Sequence, residues 1–99
     1  MYVIRDIMYC KPGQVRPMVE KFKALKQVMK KMKLGEMRIL TDVSAERYWT
    51  VVAEVEVKKL DEYAELSRKT MEDKSIQKAM QDYHDLIDQG RREIYQLEG

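Results

Sequence analysis

Apolar residues along this chain alternate, then recur every three or four positions, then alternate again. Val3 to Tyr9 has the period of a strand, and Val15 to Met32 carries a helical stripe of Val15, Met18, Val19, Phe22, Leu25, Met29 and Met32. Met37 to Thr41 and Tyr48 to Val57 return to the strand period, with Asp42 to Glu46 as the loop between them. Leu60 to Ile87 is helical again, and Arg92 to Leu97 closes the chain as a short strand. The order βαββαβ predicts a single α+β domain over residues 1–99. Its four strands form one antiparallel sheet, with the helices packed on one face.

Local signals place the boundaries. Lys11-Pro12-Gly13 stops the first strand and turns the chain, Pro17 falls in the first helical turn, and Gly35 ends that helix. Asp61 is the expected N-cap of the second helical region, which breaks near Asp73-Lys74-Ser75. There the apolar phase resets, so that Ile76, Ala79, Met80, Tyr83 and Ile87 form a new stripe, capped by Asp73 or Ser75 and ended by Gly90. In the third strand Trp49, Val51, Ala53, Val55 and Val57 are expected to face the helices.

The first strand is apolar on both faces, Tyr2, Ile4 and Met8 on one and Val3, Ile7 and Tyr9 on the other. That is the pattern of a strand covered from both sides. Two helices cover one side only. The other carries the second set with Tyr48, Thr50 and Val52, and with Arg38, Glu54 and Glu56 expected toward its ends. A semi-apolar face rimmed by charge fits a protein–protein interface, and a second copy of the chain would close it. The expectation is a homodimer joined through the sheet; the competing reading is a monomer with a wet sheet.

Composition sharpens this picture. The chain is 44% hydrophobic and 36% charged, which suits a folded domain. No apolar run is long enough to span a membrane, and Arg5-Asp6 interrupts the only candidate signal-peptide core. Cys10 is alone, so no intrachain disulfide can form, and a packed thiol in a cytoplasmic protein is the expectation. Eight basic residues between Lys11 and Lys33 stand against Glu20, a local charge of +7; with +2 overall, the rest carries −5. These lysines lack interleaved aromatics, so a solvated helix face is expected and not a nucleic-acid site, with packing between dimers as the second reading.

Candidate chemistry is sparse. His84, the sole histidine, sits beside Tyr83 and between Asp82 and Asp85; it is a general base or heme ligand on one reading and an incidental surface residue on the other. No phosphate loop, nucleophile–base pair or metal-ligand cluster stands at interpretable spacing, so no metal site is expected.

The passage Arg5-Asp6-Ile7-Met8-Tyr9-Cys10-Lys11-Pro12-Gly13, the closing Arg92-Glu93-Ile94-Tyr95 and the order of elements resemble the dimeric α+β barrel superfamily, a ferredoxin-like fold. Within it the chain is most similar to NIPSNAP-type and antibiotic-biosynthesis-monooxygenase-type domains. The resemblance implies a ligand pocket between sheet and helices, in which Trp49, Tyr63, Tyr83 and Phe22 are the expected wall and Arg5 and Asp6 the approaching strand charges. The heme-degrading branch uses a strand asparagine with a helical tryptophan and histidine. This chain has no asparagine and its Trp49 lies in a strand, so that activity is not expected; no cofactor is expected, with heme binding left open. Two functions follow. One is a homodimer binding a small apolar or aromatic molecule, acting as a cofactor-independent monooxygenase if it is an enzyme, with His84, Asp6 and Arg5 as candidate catalytic residues. The alternative is a non-catalytic oligomerisation or regulatory module.

Overall fold

In a computed structural model describing residues 1–99, Tyr2–Cys10 form β1, a central strand flanked on both sides. Helix α1 covers Val15–Lys31, β2 Met37–Thr41, β3 Thr50–Val57, α2 Leu60–Glu72, α3 Lys74–Ala79 and β4 Ile87–Gln96, with a 3-10 turn at Tyr83–Leu86. The sheet order is β2-β3-β1-β4 and every neighbouring pair is antiparallel, the ferredoxin-like arrangement expected from the order of elements. Helices lie on one face only, and the molecule measures 35 × 35 × 18 Å, two layers thick.

The turn after β1 works as the residues demand: Gly13 takes φ +81°, and the Gln14 N–H donates to Lys11 O at 3.0 Å. Helix α1 then buries Met18, Val19, Phe22 and Met29 against Cys10, Met37, Val51 and Ala53 of the sheet. Methionine is unbranched and fills such irregular gaps. Met18 and Val51 are fully enclosed, each contributing roughly 1.5–3 kcal/mol by burial. Asp73 breaks the helical layer in two: its extended backbone ends α2, and its carboxylate accepts from the Ile76 N–H at 3.0 Å, capping α3. Asp61 lies within the first turn of α2 instead; Lys59 holds the N-cap position, with no side-chain cap.

Two boundaries differ from the sequence expectation. Strand β3 starts at Thr50 and not Tyr48, because Trp49 adopts φ +63° while its carbonyl accepts from the Cys10 N–H. Trp49 thereby leaves the alternation and is 44% exposed. The expected stripe from Ile76 to Ile87 ends at Ala79, since Asp82 turns left-handed at φ +63° and Tyr83–Leu86 tighten into the 3-10 turn. Strand β4 is consequently ten residues long, and Gly90 sits inside it, not at a helix end. A Cβ at Gly90 would stand 3.1 Å from Met8 Sδ, so the methionine occupies the space a side chain would need.

The face opposite the helices carries Val3, Arg5, Ile7 and Tyr9 of β1, with their partners Glu56, Glu54, Val52 and Thr50 on β3 and Tyr95, Glu93, Arg91 and Gln89 on β4. Val3, Ile7 and Tyr9 are shielded by neighbouring side chains, Tyr9 by the guanidinium of Arg47 at 4.2 Å from its ring centroid. The charges are not confined to the rim. Arg38, Glu54, Arg5 and Glu93 are paired across the four strands and form one row through the sheet.

Candidate functional site

The alternation of β1 that sends Arg5 to the uncovered face sends Asp6 beneath the helices. Its antiparallel partners there are Ala53 on β3 and Arg92 on β4. Arg92 Nε donates to Asp6 Oδ1 at 2.6 Å, an ion pair joining residues 86 positions apart. Ala53 is small and leaves room above the sheet. Tyr63, one turn into α2, closes that side, with Arg92 5.4 Å from its ring centroid. Between them opens a cavity of about 480 Å³, lined mainly by apolar side chains.

Asp6, Arg92 and Tyr63 adjoin one another in its wall, which Ser67, Thr70 and Gln77 also line. The Asp6 hydrogen bond holds the Arg92 guanidinium charged, above its ordinary range. Burial pushes the Tyr63 phenol up, so it stays protonated and is a donor; its hydroxyl is enclosed and has no hydrogen-bond partner. An unmade bond of that kind costs about 1–3 kcal/mol. The remaining wall is soft: Met8, Met29, Met37, Met71 and Met80 all contribute. A mainly apolar chamber with a few polar groups in its wall is the usual form of a small-molecule site.

Of the residues singled out in the sequence, the structure brings Asp6, Phe22, Tyr63 and Tyr83 to this cavity. Trp49 is not among them, because its left-handed backbone carries it out of the strand into the exposed hairpin end. Arg5 is not either. It lies on the opposite face, donating to Glu54 Oε1 at 2.6 Å. His84 lines a neighbouring recess with Asp6, Met8, Tyr83 and Arg92, its ring 4.0 Å from that of Tyr83. Arg92 is not among the residues the sequence singles out; the antiparallel pairing of the last strand with the first sets it opposite Asp6.

Cys10 is buried, and burial pushes its thiol up, with Asp42 and Asp88 adding to the effect; it packs as a protonated side chain. No group of three or more His, Cys, Asp or Glu side chains is placed to hold a metal ion. No helix is long and apolar enough to cross a membrane.

The fold and cavity define an α+β ferredoxin-like domain with an apolar chamber under its helices. No protein-family model matches the chain, and no curated protein does. Solved structures do. A NIPSNAP family protein from Agrobacterium tumefaciens strain C58 superposes with a TM-score of 0.80 at 18% identity, covering 96% of this chain and 90% of that one. An uncharacterized NIPSNAP domain protein from Burkholderia xenovorans gives 0.81 at 12%, covering 99% and 95%. An antibiotic biosynthesis monooxygenase gives 0.73 at 10%, with both chains covered completely. The chain therefore shares the fold of NIPSNAP and antibiotic biosynthesis monooxygenase proteins. Identities this low establish the fold, and activity does not follow from fold.

Proposed function

We propose that the protein is a homodimer that binds a small, largely apolar molecule in the cavity beneath its helices. The observation that carries this is the Asp6–Arg92 ion pair set beside Tyr63 in the wall of a mainly apolar chamber of about 480 Å³. A core built for packing alone would fill such a space, since interiors are close-packed. For that reason the binding reading is preferred to a purely structural oligomerisation module. Oxygenation of the bound molecule without a cofactor is the first activity to assay, on the model of the monooxygenase that shares the fold. The dimer reading is supported by the sheet face that no helix covers, where Leu40 and Tyr95 are nearly half exposed.

Calorimetric titration with 1-naphthol, an apolar ring bearing one hydroxyl, tests the binding reading. Saturable binding is expected in the wild type and is lost in Ser67→Phe, which places a ring in the cavity from α2. Binding unchanged by that substitution, or no binding of any apolar probe, would overturn the reading.

A further inference from the structure

Beside the main cavity lies a recess of about 330 Å³, and the two share Asp6, Met8, Tyr83 and Arg92 in their walls. The walls differ in kind. The cavity is mainly apolar and rich in methionine, whereas His84, Ile87, Gly90 and Arg91 complete the recess. Gly90 keeps it open. Its φ is not left-handed, so what the glycine supplies is space: a Cβ there would stand 3.1 Å from Met8 Sδ and 3.7 Å from Ile87 Cδ1.

The recess holds one cation with hydrogen-bonding capacity to spare. Arg91 is turned away, its guanidinium meeting Glu93 at 2.8 Å and lying 5.8 Å from the Tyr9 ring centroid on the uncovered face. Arg92 meets Asp6 through Nε alone, and both of its terminal nitrogens lack a protein partner. A guanidinium engaged at Nε keeps a second edge for a planar pair of oxygens. Asp6 is the one carboxylate lining the recess, and Arg92 already neutralises it.

We propose that the site takes a single-chain alkyl carboxylate, its tail among the methionines of the cavity and its carboxylate in the recess, on the free edge of the Arg92 guanidinium. This rests on the binding reading above and names the class of ligand. Arg92 and His84 are exposed, so an ionised head keeps part of its hydration in the recess and avoids the cost of full burial. Methionine side chains adapt in shape, which suits a tail with rotamers of its own.

Calorimetric titration with octanoate, 1-octanol and octylamine at neutral pH compares three heads on one tail. Octanoate is expected to bind wild type about tenfold more tightly than octanol, the worth of a hydrogen bond to a charged group, and octylamine most weakly. In Arg92→Met, octanoate and octanol bind alike. Gly90→Val puts a residue suited to a strand into the recess and has the same effect without touching the cation. Octanol or octylamine binding wild type as tightly as octanoate overturns the inference, and so does an octanoate preference that survives either substitution. In those cases the binding reading stands, because an apolar probe still binds. If neither octanoate, octanol nor 1-naphthol binds, that reading falls and this inference with it.

Discussion

Arg92 Nε and Asp6 Oδ1 meet at 2.6 Å under the helical layer, from opposite ends of the chain. Antiparallel pairing of β4 with β1 fixes them side by side, so this ion pair in the cavity wall is a property of the sheet and not of a loop. Sites on regular elements hold their geometry better than sites on loops. Arg92→Met keeps the apolar stem and removes the donors. It is expected to weaken 1-naphthol binding by about tenfold, the equivalent of roughly 1.4 kcal/mol, with the fold retained by circular dichroism. An unchanged affinity would separate the ion pair from the ligand.

Glu54 makes stability depend on acid. Burial pushes its carboxyl up, but the hydrogen bonds and charges of Arg5 and Arg38 outweigh that and leave it below its ordinary value of 4.5. A carboxylate depressed by folding stabilises the folded state above that ordinary value, and the contribution is lost as pH falls through the folded one. The thermal midpoint of wild type should therefore exceed that of Glu54→Gln at neutral pH. The gap should narrow as the pH falls below 4.5. A gap that does not change with pH would show that Glu54 acts through packing.

Met18 is wholly enclosed between α1 and the sheet. Met18→Ala is expected to cost about 2–5 kcal/mol in urea unfolding, the range for truncating a large core side chain. A loss well under 1 kcal/mol would mean that the methionine-rich layer collapses freely onto the vacancy.

At the helical break the Asp73 side chain makes one capping hydrogen bond, from the Ile76 N–H. Asp73→Ala should destabilise by about 0.5–2 kcal/mol, and Asp73→Ser should restore most of it, because serine also caps. Equal losses in both variants would place the effect elsewhere than the cap.

Legibility in the sequence followed the periodicity. Strand β1 and helix α1 were readable because the stripe Val15 to Met32 and the two-faced pattern of Val3 to Tyr9 are each fixed by burial. The end of the chain misled for a physical reason. Tyr83 and Ile87 are four apart, which suits a helix, but it equally suits a 3-10 turn running into a strand, and only the left-handed backbone at Asp82 separates the two. Gly90 read as a helix terminator because its constraint is the sulfur of Met8, a contact distant in sequence. Trp49 followed strand alternation on paper and left it through one dihedral. In the cavity, Asp6 and the aromatic wall of Phe22, Tyr63 and Tyr83 follow from the family resemblance, which also draws in Arg5, although strand alternation sends it to the other face. Arg92 does not, since its role comes from strand register. The charged row is hidden for the same reason: Glu54 looks peripheral along its own strand and is central once β1 and β2 flank it.

The uncovered sheet face is the foundation of the proposed dimer, and sedimentation equilibrium over a range of concentrations tests it most directly. A species of twice the 11.8 kDa chain mass that persists on dilution to micromolar concentration is expected. A folded particle of 11.8 kDa at every concentration would contradict it.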